Sequence, residues 1–255
     1  MKYFLIACMF VVAVPSSFVV AQEQDDAPLP PKRSSQTKIG GGAGFTPFWL
    51  FLNVEPVNRV LRNAGAAEFD KGGMPLLGGQ GYAYILFVTN LRIGGMGAGG
   101  TMTSRSFDRE SGGRRDVSLS VSFGGVTCDY VLNVAPRFDL TFGMLLGGAE
   151  MEIKRSLDYG RAKVWDDQWI AFGNRSPLAE YTVKQSGSFF VYKPNINLEY
   201  SLLRWIGFRL GVSYLGMTAA DWKQDEKYDL IGVPNDVSGR GWMINTGIFL
   251  GTFVY

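Results

Sequence analysis

The sequence predicts an all-β chain folded as an eight-stranded antiparallel up-and-down transmembrane β-barrel, with one short helix in its first long loop. Three observations predict this. Beyond an export-type leader, no apolar run approaches the ~20 residues that a spanning helix needs, so strands are the elements left to cross a membrane. The segments that follow alternate apolar and polar residues with the two-residue period of a strand. The connections between them alternate short and long, as they do when all long loops lie on one side of a bilayer.

Residues 1–21 read as a secretory signal: Lys2 supplies the positive start, residues 3–14 the apolar run, and Val19-Val20-Ala21 a small-residue site before Gln22. Pro15, Ser16 and Ser17 interrupt the run well short of a membrane span. Leu5-Ile6-Ala7-Cys8 has the look of a lipidation motif, but it lies too close to Met1 to leave an apolar stretch of useful length. Cleavage after Ala21 removes Cys8 and leaves Cys128 alone, which excludes an internal disulfide and a cysteine metal site. It also lowers the basic count from 25 to 24 against 23 acidic residues, a balance that points to neither nucleic acid nor an anionic surface as partner. Residues 22–37, with QEQDD and PLPPKRSSQT, form a polar, proline-rich lead-in expected to be disordered. Residues 38–255 form the barrel, and 33 glycines with 14% aromatic and 19% charged residues suit strands and turns better than helices.

By alternation and turn punctuation the strands fall at 38–51, 80–89, 91–105, 115–132, 138–155, 187–201, 206–219 and 240–255. Short turns follow the second, fourth and sixth, at Thr89-Asn90, 133–137 and 202–205, and long connections occupy 52–79, 106–114, 156–186 and 220–239. In the first of these, Glu55-Pro56 starts a helix, Val57, Val60 and Leu61 give it an apolar face, and Gly65 stops it. This helix is read as a packed structural cap on one barrel mouth, with a lid over a ligand site as the alternative.

Face alternation is clearest in the later strands. Phe138, Leu140, Phe142, Met144 and Leu146 share one face of the fifth, and Phe190, Tyr192, Ile196, Leu198 and Tyr200 one face of the sixth. Lys193, Asn195, Asn197, Glu199 and Ser201 share the opposite, lumenal face, while in the seventh strand Phe208, Leu210, Val212 and Tyr214 oppose Arg209, Gly211 and Ser213. The fourth strand changes phase: Val117, Leu119, Val121 and Phe123 are odd, Val126, Cys128, Tyr130 and Leu132 even, which predicts a bulge at Gly124-Gly125. A turn at Thr89-Asn90 predicts Tyr82 opposite Gly97 and Tyr84 opposite Gly95, rings over positions without side chains.

Over residues 38–255 this pattern resembles the OmpA/OmpX-like class of eight-stranded bacterial outer-membrane barrels. The closing segment GWMINTGIFLGTFVY, with Phe249, Phe253 and Tyr255 in phase, is similar to the C-terminal signal by which such barrels are assembled. The resemblance implies a Gram-negative outer-membrane location, lipid as the surrounding partner, and recognition of the strand ending in Tyr255 by the barrel-assembly machinery. The segments LGGQGYAYI and RIGGMGAGG resemble glycine-rich outer-membrane proteins of uncharacterised function, a likeness that implies no activity.

Chemistry-bearing motifs are few. The glycines of residues 94–100 lack the Lys-Ser/Thr and the helix of a phosphate-binding loop and read as a glycine-rich strand. Asn174-Arg175-Ser176 matches a glycosylation acceptor that has no meaning in a bacterial setting. The chain has no histidine, so Ser-His, Cys-His and His-metal chemistry are unavailable within it, and the histidine-dependent outer-membrane lipases, deacylases and proteases are poor analogues. Adjacent Asp166 and Asp167 would face opposite ways on a strand, and Glu150 and Glu152 fit a solvated strand end. No catalytic residue, metal site or cofactor is assigned.

Two groups of residues stand out as candidate sites. Trp165, Asp166, Asp167 and Trp169 in the third long loop read equally as a recognition patch for an unknown extracellular partner and as an ordinary aromatic girdle or loop-packing cluster. Arg92, Asp129, Glu199 and Arg209 are expected as a lumenal charge cluster that helps close the periplasmic half: two bases and two acids, balanced because an unpaired buried charge is costly. The short turn at 202–205 allows registers in which positions sum to 406 or 408, and 408 sets Glu199 opposite Arg209. The leading functional expectation is a non-enzymatic barrel with a structural or surface-interaction role. A narrow, porin-like pore for small ligands is the second reading, and a soluble periplasmic lipocalin-like barrel the third.

Overall fold

The computed structural model describes residues 40–85, 87–107, 112–160, 181–234 and 236–251. Within them ten strands and one helix run as β1 (Gly41–Phe45), β2 (Phe48–Leu52), α1 (Glu55–Asn63), β3 (Met74–Tyr84), β4 (Leu91–Phe107), β5 (Arg114–Ala135), β6 (Phe138–Asp158), β7 (Tyr181–Ser201), β8 (Ile206–Gln224), β9 (Tyr228–Asp229) and β10 (Gly241–Gly251). β1 and β2 are one stave broken at Thr46-Pro47, where proline has no N–H for the ladder. Both segments pair with β3 on one side and β10 on the other, and β10 pairs with β8. The antiparallel ring of eight staves is therefore closed and leaves no sheet edge. β9 adds a two-residue ladder to the tip of β8.

Short turns join β3 to β4, β5 to β6 and β7 to β8, while the helix-bearing segment, residues 108–113, 159–180 and 225–240 connect staves at the other end. By the rule that periplasmic turns are short and surface loops long, the second end faces outward from the cell. The strands are long: β5 has 22 residues, and β6 and β7 have 21 each, against the ~9–11 that a tilted strand needs to cross a bilayer. The outward apolar belt has that smaller length. On β7 it runs from Phe190 to Tyr200, and on β6 from Phe138 to Leu146 before giving way to Gly148 and Glu150.

Above the belt the barrel turns inside out. The upper interior is an apolar core that includes Leu50, Leu76, Leu119, Val121, Met151, Val191, Leu215 and Met243. The upper exterior is polar, with Thr101 bonded to Ser120 and Thr103 to Ser118 across β4 and β5. α1 closes this storey: Val57, Leu61 and the following Phe69 join the same core, and Asn58 clamps Phe69 through both its N–H and its carbonyl. Gly65, at φ +67°, takes the left-handed turn that ends the helix.

Three sequence-based details are corrected. The odd residues of β5 face inward without interruption, and its registers with β4 and β6 run unbroken through Gly124 and Gly125, so there is no bulge there. The apolar set changes parity because the surroundings change: apolar residues face lipid below and the core above. The register shifts lie instead at Asn133/Ala135 and at Phe189/Phe190 opposite β8. The second stave is Met74–Tyr84, not 80–89, and the chain reverses between Tyr84 and Leu91, with Asn90 at φ 65°. This longer turn places Tyr82 opposite Gly94 and Tyr84 opposite Arg92. The upper storey also lengthens most staves and shortens the long connections relative to expectation.

Candidate functional site

The lumen of the lower storey gathers its side chains by alternation alone. Even positions of β3 and β4 and odd positions of β5 to β8 and of β10 point inward, which places Gln80, Arg92, Asp129, Asn197, Glu199, Arg209 and Asn245 in one buried space. The register sets Arg92 opposite Asp129, and Glu199 opposite Arg209.

Glu199 is the centre. Arg92 approaches it as a fork, with Nη1 to Oε2 and Nη2 to Oε1 both at 2.8 Å. Arg209 reaches Oε1 from the other side, through Nε at 2.9 Å and Nη2 at 2.6 Å. Two guanidinium groups thus share one carboxylate, and the bidentate geometry of the first is the strong form of such a pair. Each cation also rests on a ring: Arg92 lies 4.1 Å from the Tyr82 centroid, and Arg209 4.0 Å from that of Phe249. Gln80 links the two halves of the cluster, accepting a hydrogen bond from Arg209 and donating to Asp129 Oδ2 at 3.4 Å. Asp129 lies 3.9 Å from Arg92.

A neutral amide layer adjoins this cluster. Asn197 donates to Asn195 at 2.7 Å and to Thr141 at 3.2 Å, and accepts from Asn245 at 3.1 Å. The polar side chains need room, and two glycines supply it: a Cβ at Gly143 would overlap the Asp129 carboxylate, and one at Gly211 the Asn197 amide.

The expected set of two bases and two acids is incomplete. Lys193, 1% exposed, enters the same lumen with Nζ 3.5 Å from Met96 Sδ and 5.3 Å from the Phe48 ring. It makes no ion pair among the described residues, so the filled lumen holds three cations and two anions. Lys193 is in phase with Asn195, Asn197 and Glu199, which makes its inward direction readable from sequence. Gln80 and Tyr82 fall within the expected stave, but the turn that follows is longer than the sequence suggests and shifts their register against β4. No group of three or more Asp, Glu, His or Cys residues suited to a metal occurs among the described residues. Trp165, Asp166, Asp167, Trp169 and Tyr255 lie outside the described residues.

A closed ring of eight antiparallel strands, with an apolar belt outside and buried polar and charged side chains filling the lumen behind it, is an outer-membrane β-barrel surrounded by lipid. The lipocalin-like alternative is overturned by the belt, since a soluble barrel would not present Trp49, Leu77, Ile93, Tyr130, Phe142, Ile196, Phe208 and Ile248, one on each stave of the ring, to water. Among solved structures the chain is similar to a major outer membrane protein from Thermus thermophilus, at 8% identity and TM-score 0.43, over 83% of this chain and 99% of that one. It is similar to Ail, the attachment invasion locus protein of Yersinia pestis, solved with the heparin analogue sucrose octasulfate, at 9% identity and TM-score 0.37, over 84% and 99%. It is also similar to the outer membrane protease OmpT from Escherichia coli, at 10% identity and TM-score 0.33, over 86% and 98%. No protein-family model and no curated protein sequence matches the chain.

Proposed function

We propose that this protein is a closed, non-enzymatic barrel with a structural or surface-interaction role, presenting its long connections above the membrane. The observation that carries the reading is the double filling of the lumen: below by the Glu199-centred ion cluster, above by the apolar core that α1 caps. Eight strands leave an interior only wide enough for side chains, and here both storeys are occupied by them. The cluster of Arg92, Asp129, Glu199 and Arg209 is thereby a lock on the periplasmic half rather than a reactive centre. The same reading takes residues 1–21 as a cleaved export signal and the stave ending in Tyr255 as the segment that the assembly machinery recognises. Intact mass of the mature protein should begin at Gln22, and a retained leader would contradict that part.

Single-channel recording on refolded protein in planar bilayers tests closure. The wild type should give no stable conductance. Glu199→Gln should also stay silent, because the apolar storey remains, while its resistance to urea falls. A large, stable conductance in the wild type would replace this reading with that of a narrow pore.

A further inference from the structure

The upper mouth contains a cavity of about 340 Å³ between α1, the tip of β8 and the segment that leads into β10. Val57 and Leu61 form one wall, Trp222 and Val233 another, and Arg155 with Gln185 is set into the rim. This size lies at the lower end of the ~300–1,000 Å³ typical of small-molecule sites, whose pattern of apolar walls and few polar groups it shares.

Arg155 distinguishes the cavity from ordinary loop packing. Its cross-strand neighbours on the inward face are Val117 and Val183, and its neighbours two residues away along β6 are Ile153 and Leu157. No acid occupies the diagonal positions either, which are Arg115, Leu119, Tyr181 and Gln185. Acids nearby are engaged elsewhere: Asp116 holds Arg114 at 2.7 Å and Glu152 holds Lys184 at 3.1 Å. Arg155 is exposed and makes no ion pair among the described residues, which leaves a solvated cation at the rim of an apolar cleft.

We propose that this cavity binds a medium-chain alkyl carboxylate, with the chain between α1 and Val233 and the carboxylate on Arg155 and the Gln185 amide. The volume sets the length: at about 30 Å³ per heavy atom, close to the share of a water molecule in the liquid, it holds roughly eleven heavy atoms. An eight- or nine-carbon acid fits that space. A guanidinium binds a carboxylate through two parallel N–H donors, which gives the charged end the more specific contact. The site lies above the lipid belt and is independent of whether the lumen conducts.

The test is calorimetric titration of octanoate into the full-length mature protein in lipid nanodiscs, with empty nanodiscs as the partition control and octanol as the uncharged probe. Saturable one-to-one octanoate binding is expected, weakened at least tenfold by Arg155→Gln and abolished by Val233→Trp, which fills the cavity. Octanol should bind equally to wild type and Arg155→Gln. Heat-modifiable electrophoretic mobility establishes that each variant is folded, and the arginine variant alone decides the matter if the tryptophan one is not. Uptake no greater than that of empty nanodiscs, or saturable octanoate binding that Arg155→Gln leaves unchanged, overturns the proposal.

Discussion

The lower and upper storeys of the same staves solve opposite problems. On β5 the inward series runs Asp129 and Thr127 below, then Phe123, Val121, Leu119 and Val117 above. The outward series changes in the reverse sense, from Leu132, Tyr130 and Val126 to Ser122, Ser120 and Ser118. Lipid makes the outside of the lower storey apolar and offers no hydrophobic drive to fill the inside, so polar groups that satisfy one another can occupy the lumen. Water surrounds the upper storey, and there the hydrophobic effect fills the interior as it would in a soluble barrel. A barrel interior has no polarity of its own; the medium outside assigns it.

The two storeys should respond in opposite ways to a charge placed at adjacent residues of β5. Val121→Asp places an unpaired carboxylate in the upper core and should abolish the folded, heat-modifiable species, since such a charge has no partner there. Ser120→Asp, one residue away on the wet exterior, should fold with a change of less than about 1 kcal/mol, the scale of its cross-strand bond to Thr101. Equal behaviour of the two would remove the upper core from the account.

In the lower storey, Glu199→Gln leaves Arg92 and Arg209 buried without their shared carboxylate and should destabilise by about 3–5 kcal/mol in urea-dependent refolding into vesicles. A loss below about 1 kcal/mol would mean that the cluster is solvated rather than locked.

On the exterior the two storeys should differ again. Ile196→Arg, in the lipid belt, is expected to cost about 2–4 kcal/mol in the same assay, the range for a cation near the bilayer midplane. Ser120→Arg should be nearly silent, and a comparable loss there would extend the membrane over the upper wall.

The smallest effect is that of pH on the cap. Lys71 and then Arg62 hold the Glu55 carboxyl below its ordinary value of 4.5, Arg62 does the same for Glu68, and Lys184 for Glu226. Because folding lowers these values, their contribution is present above the ordinary carboxylate value and lost as pH falls below it. Glu55 and Glu68, the two that pair with Arg62 of α1, are largely solvated, so protection of the α1 amides in hydrogen exchange should weaken only slightly below pH 4.5, and less in high salt.

The ring was legible in the sequence because lipid-facing staves repeat a two-residue period over a whole crossing, as Phe190 to Tyr200 does, and because loop lengths alternate. α1 was legible from Glu55-Pro56 and Gly65. The upper storey was not, because a change of parity such as that between Phe123 and Val126 has two physical causes. A bulge shifts the backbone; a change of medium exchanges the chemistry of faces that keep their directions. Pairing across β4, β5 and β6 separates them. Glu199 and Arg209 could be related through a four-residue turn, whereas the partners of Gln80 and Tyr82 depended on where β3 ends. The cavity at Arg155 joins α1, β6 and the residues before β10, distant segments that no local pattern relates.

Spin-label accessibility locates the boundary between the two storeys. Cys128, exposed on the lower outward face of β5 and outside any disulfide, provides one site in the mature protein. Cys128→Ser combined with Ser120→Cys provides the other, eight residues along the same face, or about 27 Å of strand. In lipid vesicles the label at Cys128 should relax with oxygen and that at Ser120→Cys with a water-soluble nickel chelate. Oxygen-dominated relaxation at both sites would contradict the two-storey barrel.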